Sequence, residues 1–260
     1  MNEFIQILLN RKSIRAYKDQ PISQEEKDVI LHAALRAPTA GNMTLYSIIE
    51  VTDQKIKDTL ARTCDNQPFI ARAPLVLLFL ADYQRWYDYY HYAGVEQLCA
   101  QKSELMLKPE EGDLFLACCD ALISAQTAVI AAESLCVGSC YIGDIMENFE
   151  EHRQLFNLPR YVFPICLLCF GYPTQQQLRG PLTSRFDPKF IVFENQYHRL
   201  APDEFREMFA AENQRLSVNA PDTSSIHNIG QTMYYRKFAA QFSKEMRRSV
   251  RVILQNWSKE

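Results

Sequence analysis

Two hydrophobic periods alternate along this chain, one near 3.6 residues and one of 2, and the switches between them mark out its elements. Residues 4–10 predict a short helix. Ser23-Gln24-Glu25-Glu26 is a capping box opening a second helix through Val29, Ile30, Ala33 and Ala34, which Pro38 ends; the link between the two is extended. Residues 46–51 read as a strand, 54–64 as an amphipathic helix that Asp53 can cap, and 74–81 as a buried strand. Residues 83–92 are crowded with aromatics (Tyr83, Trp86, Tyr87, Tyr89, Tyr90, Tyr92) and run into a polar stretch ending at Gly112, which predicts an insertion near 83–112 packing over the core. Asp113 can cap a long alanine-rich helix over 114–136, closed by Gly138 and interrupted by Asp120, Gln126 and Glu133. A helix apolar on most faces is either central in its own domain or shared with a partner subunit, and the second reading favours a dimer.

Further strands are expected at 139–142 and 163–170, a helix near 149–156, and a turn at Gly171-Tyr172-Pro173 that completes a compact unit. The remainder predicts a polar loop, a short strand at 190–193, a helix at 202–216 and a last helix. In that last helix Phe238, Phe242, Met246, Val250, Ile253 or Leu254, and Trp257 form an apolar stripe, with Lys244, Arg247, Arg248 and Arg251 as a solvated basic face. The class is α+β in a single domain over 1–260, with 174–260 as a C-terminal extension.

Composition narrows the function. The chain has 260 residues, 47% hydrophobic and 23% charged, with net charge −3. That excludes disorder and argues against partners demanding a strong basic excess, namely nucleic acid and anionic membrane. The N-terminus carries Glu3 where an export signal carries positive charge, and the purest apolar run, 75–81, is far short of the ~20 residues that span a bilayer. A cytoplasmic protein with small-molecule partners is expected. Cys166-Leu167-Leu168-Cys169 has a metal-like spacing that Cys136 and Cys140 could complete. On a strand, however, residues three apart point to opposite faces, so buried reduced thiols and no metal are expected.

Three segments carry candidate chemistry. In extended Arg11-Lys12-Ser13-Ile14-Arg15, residues 11, 13 and 15 share one side, so two guanidinium groups flank a hydroxyl, a set suited to phosphate. Taken alone, the segment reads as a solvated basic turn. Ala37-Pro38-Thr39-Ala40-Gly41-Asn42 offers small residues that admit a flat ligand to the backbone and an amide for a polar ring edge, or it is a plain helix-terminating loop. Tyr141-Ile142-Gly143-Asp144 follows a strand and can turn main-chain amides to a ligand. The sequence holds neither G-x-G-x-x-G nor G-x-x-x-x-G-K-[ST], so nucleotide binding would use another scaffold. The five histidines lack a neighbouring nucleophile motif, and no protein acid or base is nominated.

In order along the chain, these segments resemble the FMN-dependent nitroreductase and flavin reductase family, in particular the NADPH-preferring, oxygen-insensitive type. The resemblance rests on Arg11 to Arg15 with Ala16-Tyr17 and Pro21-Ile22-Ser23, on Ala37 to Met43, on Gln67, and on Ala131-Ala132-Glu133-Ser134. It extends through Tyr141-Ile142-Gly143, Phe170 to Pro173, Glu194-Asn195 with Tyr197, and the tail around 242–249. It implies a nitroreductase-like fold with a central mixed sheet flanked by helices, an intertwined homodimer whose C-terminal extension wraps the partner subunit, and one FMN in each of two interface sites. By that resemblance Arg11, Ser13 and Arg15 hold the ribityl phosphate and the near flavin edge, Lys12 contributes through its backbone, and Thr39, Ala40, Gly41 and Asn42 come from the partner. Gln67 meets the pyrimidine ring, Tyr141, Ile142, Gly143 and Asp144 line the N5 side, and Arg185 reaches the phosphate. Thr183 departs from the basic residue related reductases often carry there. The implied reaction is ping-pong hydride transfer from NADPH or NADH to flavin N5 and on to a nitroaromatic, quinone or free flavin. Arg199, Arg206 and Arg215 are candidates for an NADPH 2′-phosphate. A flavin-binding sensor or carrier without turnover, and a same-fold flavoenzyme doing dehalogenation or dehydrogenation, are the alternatives.

Overall fold

The computed structural model describes residues 2–219 and 226–258. These divide into two compact units, one of 1–180 with 245–260 and one of 181–244.

In the first unit the chain runs α1 (Glu3–Asn10), α2 (Gln24–Leu35), β1 (Tyr46–Glu50), α3 (Gln54–Thr63), α4 (Phe69–Arg72), β2 (Leu75–Asp82), α5 (Gln84–Tyr92), α6 (Val95–Gln101), α7 (Glu111–Ser134), β3 (Gly138–Ile142), α8 (Phe149–Leu155), β4 (Val162–Gly171) and α9 (Gln175–Arg179). The sheet order is β1-β2-β4-β3, every pair antiparallel. The expected mixed character is therefore confined to one edge, where Ser13 makes a single parallel bridge to Ser139 beside β3.

Period-2 alternation explains the layers. On β2 the even positions Val76, Leu78 and Leu80 face a core with Leu60, Cys64 and Ile70 of the α3–α4 side, while the odd positions Leu75, Leu77 and Phe79 face α2 and α7 through Ile30, Ala34, Ala125, Ala128 and Val129. Both sheet faces are covered, so β2 is a continuous apolar run instead of an alternating one. Cys169 lies in the first core and Cys166 in the second, on opposite faces as strand geometry requires. All eight cysteines are free, and no metal-holding cluster of His, Cys, Asp and Glu occurs among the described residues.

Helix α7 is long and apolar enough to cross a membrane, but one face of it is core: Leu114, Ala117, Asp120, Ala121, Ser124, Ala125, Ala128, Val129 and Ala132 are buried. Small residues there let it lie close to the sheet. Phe115, Leu116, Leu122 and Ile123 on the other side stay exposed, Phe115 by 67%. Two expected boundaries shift. Asp113 is not the cap but the third helical residue, whose carboxylate accepts the Glu110 N–H at 2.9 Å. Cys136, at φ +59°, and not Gly138, takes the left-handed position beyond the helix end.

The aromatic insertion is a helical pair, α5 and α6, meeting at Gly94 (φ +76°). Tyr83, Trp86 and Tyr87 pack on a third core with Leu45, Phe163 and Trp257, whereas Tyr89 and Tyr92 are exposed.

In chain order the second unit holds a turn at Pro188–Phe190, then α10 (Pro202–Met208), α11 (Ala210–Asn219), α12 (Ile229–Met233) and the start of α13 (Gln241–Trp257), whose residues from Glu245 on belong to the first unit. The expected strand at 190–193 is absent: Asp187 caps the Pro188 turn, and Ile191 and Val192 are exposed. The helix expected over 202–216 is two helices, broken at Phe209. In α13, Ile253 and Trp257 are buried in their own chain's first unit, and the indole donates to the Glu110 carbonyl at 3.0 Å. Arg248 is not merely solvated: it makes a two-pronged pair with Glu150, at 2.8 Å each, and bonds Glu245. That pairing holds the Glu150 carboxyl down at about 2.

Candidate functional site

Segment 11–17 is laid along the outer edge of β3. The Ile14 N–H donates to the Ser139 carbonyl at 2.9 Å, Tyr17 bridges Pro173, and the Lys18 N–H reaches the Tyr172 carbonyl at 2.8 Å. Two glycines make this docking possible. Gly138 and Gly171 are cross-strand partners in β3 and β4; a Cβ on Gly138 would stand 2.4 Å from Ile14, and one on Gly171 2.5 Å from Tyr17 and 2.8 Å from Pro74. With Ile14 buried, Arg11, Ser13 and Arg15 gather around Cys140. Burial pushes the Cys140 thiol up, opposed in turn by the Arg15 charge, a Ser13 hydrogen bond and the Arg11 charge. The Lys12 side chain is committed elsewhere, its ammonium donating to the Leu178 and Gly180 carbonyls at 2.8 and 2.6 Å.

Adjoining this limb are Gln67 and the turn after β3. The Gln67 amide donates to the Cys64 carbonyl at 3.0 Å and to the Asp144 carboxylate at 2.8 Å. The Arg15 guanidinium lies 5.9 Å from the centre of the Phe69 ring, two residues from Gln67. Ile142 is buried, Gly143 is exposed at the start of a 3₁₀ turn, and the Tyr141 hydroxyl donates to Gln126 at 3.2 Å. Arg11, Ser13, Arg15, Gln67 and 141–144 thus form one connected surface. Among the described residues neither Arg11 nor Arg15 is within ion-pair distance of a carboxylate, so both positive charges remain available to an anion.

Thr39, Ala40, Gly41 and Asn42 stand elsewhere. Gly41 (φ +55°), Asn42 (φ +57°) and Thr44 (φ +54°) hold three left-handed conformations close together. Asp120, 2% exposed on α7, fixes them: its carboxylate accepts the Ala40 N–H at 3.0 Å and the Leu45 N–H at 3.1 Å. This loop leads into Tyr46, which pairs through Ala81 to Phe163, whereas Ser139 pairs with Phe170. Three strand spacings and seven residues of rise separate the two places, about 25 Å in all. One chain therefore does not bring loop 39–42 to Arg11, Ser13 and Arg15. Arg185 belongs to the second unit, exposed, its guanidinium donating to the carbonyls of Thr183 and Ser184 at 3.1 and 3.2 Å.

Sequence reasoning missed several residues of this site. Asp120 was visible only as a lone acid in an alanine-rich helix. Glu133 is pushed up to about 7 by burial, against the Arg11 charge, and its Oε1 is buried without a partner. Glu147, 4% exposed, is pushed up to about 8 by burial and then by the neighbouring Asp144 carboxylate, and so holds a proton next to the Gln67–Asp144 pair.

A family model described as the nitroreductase family matches residues 8–172. An FMN reductase [NAD(P)H] of Bacillus subtilis is 31% identical over 255 residues, covering 94% of this chain and 98% of that protein. An oxygen-insensitive NADPH nitroreductase of Salmonella typhimurium is 31% identical over 200 residues, 77% of each chain. The solved structure of NfrA2 from B. megaterium superposes with a TM-score of 0.80 at 26% identity, covering 100% of both chains.

Proposed function

Because this chain belongs to the nitroreductase family, we propose that it is an FMN-dependent NAD(P)H oxidoreductase acting on nitroaromatic, quinone or free flavin acceptors. The observation that carries this reading is the Arg11–Ser13–Arg15 cluster, its guanidinium groups without a carboxylate partner, joined to Gln67 and 141–144: cationic donors suited to a phosphate at one end, and the Gln67 Oε1 with main-chain groups suited to a polar heterocycle edge at the other. A bound flavin would supply the redox chemistry of this site, hydride exchange between a nicotinamide and the acceptor.

The chain's residues bind and orient. Arg11, Ser13 and Arg15 would hold the phosphate and the near ring edge, with the Arg15 guanidinium placing positive charge beside that edge. Lys12 acts through its backbone, since its ammonium secures 178–180. Asp144 fixes the Gln67 amide so that its Oε1 is left for the pyrimidine ring, and Tyr141, Ile142 and Gly143 line the remaining edge. Glu147 keeps its proton and spares the site a second carboxylate charge beside Asp144. No protein group is assigned as acid or base in the hydride step.

Thr39, Ala40, Gly41 and Asn42 complete the site from a second copy. Supporting a homodimer are the ~25 Å separation within one chain and the exposed apolar stripe of Phe115, Leu116, Leu122 and Ile123 on α7. Residues 181–244 are the part of the extension proposed to wrap the partner. Cytoplasmic location belongs to the same reading, supported by eight free cysteines.

The test is a visible absorption spectrum of the purified protein with anaerobic NADPH and, separately, NADH. Bleaching of a flavin spectrum that a nitroaromatic or quinone reverses is expected. A protein that takes up no FMN, or whose flavin neither donor bleaches, refutes the assignment.

A further inference from the structure

Beside Arg15, but beyond the surface just described, a groove of about 640 Å³ runs between segment 15–21 and the wall formed by Gln54, Lys57 and residues 71–74. Its charge is one-sided. Arg15, Lys18, Lys57 and Arg72 line it against one carboxylate, Asp19, leaving three positive charges unbalanced. Among the described residues none of these cations is within ion-pair distance of an acid.

The acids nearby are already engaged. Glu50 is paired with Lys27 at 2.6 Å, Asp58 accepts from Gln54 at 2.8 Å, and Asp53 caps α3 by accepting from the Lys55 and Ile56 N–H groups. Lys57 is the most confined of the four cations: burial pushes its ammonium down, and it donates to the Ala73 carbonyl at 3.0 Å, spending one of three donors. The Tyr17 hydroxyl is turned away, donating to Ile14. A cleft lined by one sign of charge concentrates ions of the other. Two ammonium point charges and two planar guanidinium forks make a set for a multiply charged oxyanion, not for a single carboxylate. The volume falls in the range that holds a whole organic ligand, so the anion is the handle of a larger molecule.

We propose that this groove is a recognition subsite for a phosphorylated substrate of the flavin reaction, with the phosphate held between Lys57 and Arg72. The proposal rests on the oxidoreductase reading, because Arg15 is shared between the groove and the flavin site. The phosphate comes either from the nicotinamide dinucleotide or from a phosphorylated flavin acceptor.

The test compares the FMN-loaded protein with its Lys57→Gln/Arg72→Gln variant, using inorganic pyrophosphate as the calorimetric probe at low ionic strength. Saturable binding to the parent is expected, weakened about tenfold or more in the variant and restored by Lys57→Arg/Arg72→Lys. No saturable binding, or equal binding in both proteins, overturns the proposal. Arg72→Gln alone, an exposed position, serves if the double variant does not fold. Steady-state rates then separate the sources. A raised KM for NADPH at constant kcat, with a non-phosphorylated quinone as acceptor, assigns the groove to the dinucleotide. A raised KM for FMN but not for riboflavin assigns it to the acceptor, and no change in either KM overturns the substrate role. A protein that holds FMN and oxidises NADPH yet ignores pyrophosphate loses only this subsite; one that takes up no FMN loses the oxidoreductase reading itself.

Discussion

Replacing Asp120 should loosen the loop that carries Thr39 to Asn42, and the cost can be worked from two hydrogen bonds. The carboxylate is 2% exposed and accepts the Ala40 and Leu45 N–H groups at 3.0 and 3.1 Å. Hydrogen bonds to a charged group are worth about 1.5–3 kcal/mol each, and their loss in Asp120→Ala leaves two donors without an acceptor. Against this stands the relief of a buried charge, so a net loss of about 3 kcal/mol is expected. Asp120→Asn keeps one acceptor oxygen but turns an amide donor toward the other N–H, and should cost about 2 kcal/mol. Urea unfolding at fixed protein concentration measures both: the midpoint should fall by roughly 1 M in the alanine variant with an unchanged slope. FMN affinity should fall in the same order, alanine below asparagine below parent. Stability losses under about 0.5 kcal/mol in both variants would refute the bonding argument. A destabilised alanine variant that binds FMN as tightly as the parent would remove loop 39–42 from the site.

Gly138→Ala places a methyl 2.4 Å from Ile14 Cγ1 and should displace segment 11–15, costing about 1–3 kcal/mol and weakening FMN binding; adding Ile14→Ala should recover part of that affinity, and a variant indistinguishable from the parent in a fluorescence titration would disprove the docking. For Glu147 the folded value near 8 lies above the ordinary 4.5, so the native state holds a proton the unfolded chain has released. Its contribution is complete below about pH 4.5 and is lost as pH rises through 8. Glu147→Gln should therefore gain on the parent by about 2–4 kcal/mol between pH 5 and 9, and parallel stability curves across that range would show the carboxyl to be ordinary.

What the sequence revealed was what depends on neighbours along the chain. The run 75–82 is apolar at every position because both faces of β2 are covered, and the Ser23–Glu26 box forms both its bonds. The Arg11–Arg15 cluster was legible because its members alternate along one extended segment. What stayed hidden is set by distant partners. Gly138 looked like a helix stop, but its lack of a side chain serves Ile14, more than a hundred residues earlier. Arg248 looked solvated until α8 brought Glu150 to it. Residues 190–193 have a strand's composition, yet Asp187 and Pro188 turn the chain there. The ~25 Å between Tyr46, where loop 39–42 enters β1, and Ser139, beside segment 11–15, follows from strand order, which no local pattern encodes.

With that separation one flavin site draws on two chains, and a mixed-dimer experiment tests this sharing. Arg15→Ala chains lack one half of the site, and Gly41→Val chains, strained at φ +55°, lack the other. Each alone should bind little FMN. Dissociated, mixed in equal amounts and reassociated, half of the dimers should be hybrids with one intact site each, restoring about a quarter of the parent's FMN and NADPH-dependent bleaching. Mixtures that recover nothing beyond the two variants measured separately would contradict a shared site.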